Sequence, residues 1–356
     1  MTVPVCIAAV GARTPLGFTA AASAAAYRAA VSMMREHEYL VDMTGAPMVG
    51  ALDSDLSPYL NGTERLCALA DTALFDACGV LDQVRGPGTL LPLYLCLPDE
   101  RPGMAHVESM RVRDHLSERQ GQRWRWSDVK TLAAGHAGGL ALMGQAVQDI
   151  RSGKIEACVV GGVESYFEAE TMEWLDATRR LASSRSRSSF VPGEAAGFCL
   201  LASARQCGRW GLPVLGTVLS SGVAHESARV RDGEVCVGTG LTSALDEALR
   251  QVDGPARRVD AIVCDINGER HRGDEWGYSC LRLARWFDDP TAYWSPADCW
   301  GDVGAASGPL FVMLACQAAE RGYAPGSRFL LWCSSESGLR AAAVLEVGRE
   351  AGPHAS

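Results

Sequence analysis

Apolar and polar positions along this chain fall into blocks that read in turn as strands and helices. Residues 3–10, VPVCIAAV, are a short continuous apolar run, the pattern of a buried strand, and GARTPLG after them reads as a turn. Residues 18–35 are alanine-rich and predict a helix whose small side chains permit close packing. Residues 36–56 are turn-rich and predict irregular structure with a short strand near 48–51. A second helix is expected over 63–80, and a buried strand over 89–98, stopped by Pro98. The charged, Arg-rich stretch 99–128 predicts a surface helix.

The pattern is clearer from Lys130 onwards. A turn and a helix closed by Gly153 lead into a buried strand in KIEACVVGGVES, then a helix near 168–178. RRLASSRSRSSF reads as a basic, solvated loop in preference to a phosphate site, and FVPGEAAGFCLLAS as another buried strand. Beyond residue 213 the order is a strand (214–225), a helix (240–252), a strand (259–268), a turn and helix (298–322) and two closing strands (328–347). Displaced by 169 positions, 135–153 lies over 304–322, with Gly135, Ala137, Gly139, Ala146, Gln148 and Gly153 meeting Gly304, Ala306, Gly308, Ala315, Gln317 and Gly322. A duplicated α/β unit with two central buried helices is the simplest reading.

Composition narrows the function classes. Apolar residues make up 47% and charged residues 21%, as in a folded soluble domain, which excludes a disordered chain or a fibre. The 33 basic residues against 42 acidic ones argue against nucleic-acid or anionic-membrane binding, which needs clustered Lys and Arg. None of the 13 cysteines stands in a C-x-x-C pair, and most lie in apolar runs, as buried thiols of a reducing compartment do. No basic n-region opens the chain and no run of about 18 apolar residues occurs, so a cytoplasmic location without a membrane span is expected.

Five segments then resemble, in order, the β-ketoacyl synthase branch of the thiolase-like fold. They are GARTPLG, GHAGGLALMGQAVQDIRSGKIEACVVGGVES, FVPGEAAGFCLLAS, CDINGERHRGDE and CWGDVGAASGP. The resemblance implies an α/β fold of five layers, αβαβα, built from two similar halves (1–205 and 206–356) that share one core and pair as a homodimer. The chain is shorter than a typical ketosynthase, so reduced substrate-covering loops are expected. At the positions of the family's catalytic cysteine and two histidines stand His136, Asn267 and Asp302, and SSESGLR replaces its glycine-rich closing turn. Glu194 matches a family glutamate that orders the site loop.

Condensation needs an activated thiolate and groups that stabilise an enolate, and all three identities are replaced here. Two readings of the trio stay open: a His136–Asp302 general base helped by Asn267, and a buried polar network that satisfies itself. The second is preferred, because a buried polar cluster must pair whether or not it catalyses. A metal set of His136, Asp302, His271, Asp274 and Glu275 lacks tight ligand spacing, so neither metal nor cofactor is expected. ERHRGDE reads as a charged surface turn or helix start, Trp294, Trp300 and Trp332 as core or interface residues, and Phe311 and Met313 as side chains able to close an acyl tunnel.

The resemblance therefore implies a catalytically degenerate ketosynthase-like protein that acts as an accessory or adaptor to a protein partner. Its REHEYLVDMTGAP segment resembles that of pseudo-ketosynthases encoded near type VI secretion effectors. Two alternatives remain. One is a divergent acyl-thioester enzyme using His136 and Asp302 on acyl-CoA or acyl carrier protein. The other is a chain-length-factor-like partner of an active ketosynthase.

Overall fold

The computed structural model describes residues 3–84, 88–121, 123–183, 186, 188–229, 233–252 and 258–348. The first part of the chain forms β1 (Val5–Arg13), α1 (Ala20–Arg28), β2 (Arg35–Val41), β3 (Pro47–Gly50), α2 (Gly62–Cys78), β4 (Thr89–Leu97), α3 (His106–Glu118) and β5 (Trp124–Ala133). It continues with α4 (Gly135–Arg151), β6 (Ala157–Ser165), α5 (Ala169–Ala177), β7 (Glu194–Ser203) and α6 (Ala204–Trp210). The second part forms β8 (Gly216–His225), α7 (Thr239–Arg250), β9 (Ala261–Cys264), α8 (Arg270–Leu283) and β10 (Tyr293–Trp294). It closes with α9 (Ala297–Trp300), α10 (Ser307–Glu320), β11 (Arg328–Ser334) and β12 (Leu339–Val347).

Ten strands are joined in the order β10-β9-β11-β12-β8-β1-β7-β6-β4-β5. Counted from either end towards the middle, each set of five runs third, second, fourth, fifth, first in its own chain order. The outer three strands of each set are parallel and the remaining joins antiparallel. The sets meet where β1 and β8 pair antiparallel, Cys6 opposite Thr217 and Ile7 opposite Gly216. Helices α4 and α10 pack against strands of both sets; α2 and α3 cover the outside of one, α7 and α8 that of the other. This is the expected five-layer arrangement, and one apolar core runs through its middle.

Small residues let the two central helices touch. A Cβ on Gly139 would fall 2.6 Å from Pro309 Cδ, and one on Gly308 would fall 2.9 Å from Leu140 Cγ. That closeness brings the first turn of α4 alongside the turn that precedes α10. Of the thirteen cysteines, all unbridged, eleven are buried, as the apolar runs around them predicted. No described helix is long and apolar enough to cross a membrane.

Four expectations need correction. The first helix stops at Arg28, because Ala30 takes a left-handed conformation and the chain then runs extended past Cys299. Residues 36–56 are not irregular throughout: β2 and β3 form a small hairpin about the Asp42–Gly45 turn. The stretch 99–128 holds a helix only over His106–Glu118 and then becomes β5, the outermost strand beside β4. Its Trp124, Trp126, Val129 and Thr131 carry the β-forming signal that the interspersed charges obscured. Finally, ERHRGDE is the helix start and not the surface turn of the two expected alternatives, and it is not solvated throughout: α8 opens at Arg270, Arg272 and Glu275 are buried in its first turns, and Glu269 is buried just before it.

Candidate functional site

Gly135 opens α4 with φ of 54°, a left-handed conformation, and a Cβ there would lie 2.5 Å from Asp99 Oδ2. The next residue, His136, is thereby placed in the first helical turn, only 3% exposed. The turn is tied down by Ser335, whose hydroxyl accepts from Ala137 N at 2.8 Å and donates to Ala134 O. Asp302 lies on the approach to α10, and Asn267 follows β9.

These three residues, scattered over the sequence, converge. His136 Nε2 lies 2.8 and 2.9 Å from the two oxygens of Asp302. Asn267 Nδ2 donates to Asp302 Oδ2 at 2.5 Å, Tyr166 Oη donates to Oδ1 at 3.1 Å, and Gly304 N donates to Oδ1 at 2.9 Å. Asp302 therefore receives four donors. Such saturation is what lets a buried carboxylate stay ionised.

Charge follows from this geometry. Burial would drive the His136 imidazole towards neutrality, but the Asp302 carboxylate overcomes burial, and the group titrates above its ordinary value. Burial likewise opposes ionisation of Asp302, but His136, its hydrogen bond and Arg272 hold that carboxyl far below the usual range. Each member therefore favours the charged form of the other. Arg272 Nη2 approaches His136 Nε2 to 3.3 Å, yet both nitrogens are donors, so this contact is a repulsion that Asp302 offsets. Arg272 is itself anchored by Asp265 Oδ2 at 2.7 Å and Ser334 O at 2.8 Å.

Very little space adjoins the pair. The cavity on the Asp99 side of His136, lined also by Arg101, Glu164, Tyr166 and Arg180, measures about 20 Å³, room for about one water. His136 Nδ1, Asp99 Oδ2 and Arg101 Nε, all buried, have no protein partner there. On the α10 side a void of about 10 Å³ is walled by Phe311, Trp300 and Asp302. Phe311 lines this void, whereas Met313 is buried in the core and lines neither space.

A larger groove of about 420 Å³ lies outside, and shares Trp174, Arg180 and Glu336 with the inner cavity. Arg180 forms the wall between them. It reaches Glu269 and Glu336 at 2.7 Å each and stacks against Phe190. The segment RRLASSRSRSSF is therefore not simply a solvated loop, since its second arginine is clasped by two glutamates; Ser184, Arg185 and Arg187 lie outside the described residues. Arg180, Arg272, Asp99 and Tyr166 escaped the sequence reading. Only Tyr166, directly after the GGVES strand, carried a positional signal.

The metal set does not assemble. Asp274 is exposed beside Arg270, Glu275 is bound by Arg340 at 2.6 Å, and His271 faces the outer groove. Glu269, His271 and Glu336 do lie close together, but Arg180 and Arg272 already occupy both carboxylates, and their positive charge opposes a cation. Glu194 is fully buried and holds Arg65 at 2.5 Å, the backbone of Asp53 and Ser165. Trp300 and Trp332 are core residues, while Trp294 is half-buried on Phe329.

Residues 128–206 match the family model of the β-ketoacyl synthase N-terminal domain. A sequence comparison with curated proteins finds no match. The fold is similar to the ishigamide ketosynthase/chain length factor, with a TM-score of 0.77 at 17% identity over 98% of this chain and 100% of that one. It is similar to a ketosynthase (ApeO) in complex with its chain length factor (ApeC) from Xenorhabdus doucetiae, with a TM-score of 0.73 at 15% identity over 97% and 98% of the two chains. A β-ketoacyl synthase from Burkholderia phymatum gives 0.72 at 14% identity over 98% and 100%. The architecture is that of the ketosynthases and chain length factors.

Proposed function

We propose that this ketosynthase-fold chain does not condense acyl groups and acts by associating with other proteins, as an accessory or adaptor. One observation carries the reading: His136, at the position where the resemblance expects the nucleophile, is locked onto Asp302 with space for about one water beside it. His136 Nε2 is committed to Asp302, whose charge favours the protonated ring, and a carboxylate with four donors has little basicity left. Neither group is poised as a general base, and an acyl chain has no room to reach them. The accessory role implied by the REHEYLVDMTGAP segment belongs to this proposal, as do His136, Asn267 and Asp302 as successors of a catalytic trio.

The test is thiol release from acyl-CoA and acyl-carrier-protein thioesters, with intact mass read for an acyl adduct. We expect neither. Release that His136→Ala and Asp302→Ala both abolish would instead make the chain a divergent acyl-thioester enzyme.

A second reading, a chain-length-factor-like partner of an active ketosynthase, is favoured by two of the similar structures, which contain such pairs. It is also supported by β5, a ten-residue strand that ends the sheet with one edge unpaired among the described residues. An unpaired edge invites strand pairing with another chain. Native mass spectrometry of the protein alone and co-expressed with a ketosynthase separates a homodimer from a heterodimer.

A further inference from the structure

A groove of about 540 Å³, which shares no lining residue with the cavity beside His136, runs between the β2–β3 hairpin and the segment around residues 52–61. All six residues from Arg35 to Leu40 line one side. Its apolar surface comes from Leu40, Leu52, Leu56, Leu60 and Phe167. Tyr39, 70% exposed, stands at the same wall, and Tyr59, 90% exposed, projects from the opposite loop.

The charge around this apolar strip is one-sided. Glu36, Glu38 and Glu168 all line the groove, and none has an ion-pair partner among the described residues. Of the two arginines present, Arg65 is spent on Glu194 at 2.5 Å, leaving Arg35 alone against three carboxylates. His37 adds no charge, because its Nδ1 accepts from the backbone N–H of Tyr39 at 3.1 Å and of Leu40 at 3.0 Å.

Those two bonds also decide what shape can bind. The register of β2 against β3 breaks between Glu36 and Val41, and within the bulge the donors of Tyr39 and Leu40 are already used. A partner strand adding here would lack its hydrogen-bond ladder. Recognition must come from side chains in the groove, the mode in which an amphipathic helix binds. A second copy of this chain, with net charge −9, is a poor electrostatic match for an acidic rim.

We infer that this groove receives a basic amphipathic helix of a partner protein, its apolar side chains on Leu40, Leu52, Leu56, Leu60 and Phe167 and its Lys or Arg side chains beside Glu36, Glu38 and Glu168. The inference shares no residue with the His136 site. Thioester turnover would overturn the proposed function and leave this one standing.

The probe is a fluorescent amphipathic peptide of leucine and lysine, with its leucine–glutamate counterpart, read by anisotropy at physiological ionic strength. The leucine–lysine peptide is expected to bind the wild type about tenfold tighter than the exposed double reversal Glu36→Lys/Glu38→Lys, which in turn gains affinity for the glutamate peptide. The control reversal Asp114→Lys/Glu118→Lys, which changes net charge equally on α3, should leave affinity within about twofold. Amide exchange should slow over 35–40 and 52–60 when the peptide binds. An affinity that both reversals lower alike, one that neither lowers, or protection elsewhere would overturn the inference.

Discussion

His136 Nε2 lies within 2.9 Å of both carboxylate oxygens of Asp302, so one buried ion pair ties the first turn of α4 to the approach to α10. The link joins the start of one central helix to the turn before the other. Removing one member leaves the other charged and buried. Asp302→Asn should therefore cost about 3–5 kcal/mol in urea unfolding. His136→Gln/Asp302→Asn, a neutral pair able to hydrogen-bond, should recover part of that loss. A loss in the double variant equal to the sum of the His136→Gln and Asp302→Asn losses would show that the pair is not coupled.

The same pair sets a pH window. The folded titration of His136 is raised above 6.5, so its contribution is full below 6.5 and is lost as pH rises through the folded value. Asp302 is depressed below 3.8, so its contribution is present above 3.8 and is lost as pH falls through the folded value. Together they stabilise most between these limits. The urea midpoint of the wild type should fall on the alkaline side, and His136→Gln should flatten that fall. Imidazole chemical shifts give the direct check: a His136 that titrates below the ordinary histidine range contradicts the ion pair.

Arg180 separates the inner cavity from the outer groove, so Arg180→Ala should join them. Diethyl pyrocarbonate, applied at a pH above the folded titration of His136 and mapped by mass spectrometry over the seven histidines, should spare His136 in the wild type and modify it in the variant. The variant should also lose about 3 kcal/mol, since among the described residues Glu269 and Glu336 then keep ion pairs with Arg272 alone. Equal labelling in both proteins would mean that Arg180 bars no route.

Gly162 tests the contact between β6 and the turn before α10. A Cβ there would meet Ala305 O at 2.1 Å, a backbone atom that cannot swing aside. Gly162→Ala should destabilise by about 3 kcal/mol. Gly208→Ala, within α6 and with nothing within 4 Å of the added carbon, should instead stabilise by about 0.5–1 kcal/mol. Thermal unfolding of the two variants side by side reads both signs.

The sequence alone determined the order of the buried strands and the glycine-opened helices, while the five layers came with the family resemblance of its motifs. Apolar periodicity and turn residues are local signals, and a strand such as VVGGVES has one stable place, inside. Its reach ended where local preference and context disagree. Trp124–Ala133 carries charges that suggest a helix, yet becomes β5 because one edge pairs with β4. ERHRGDE looked solvated, yet Arg272 is drawn inside by Asp265, Glu269 and the carbonyl of Ser334, partners up to 62 residues away. The trio of His136, Asn267 and Asp302 was legible as positions, not as a bond network. Only the tertiary structure decided that Nε2 faces both oxygens of Asp302, that Arg180 walls off the groove, and that the space beside His136 is water-sized. Those are matters of long-range packing and side-chain direction, which a linear pattern does not encode.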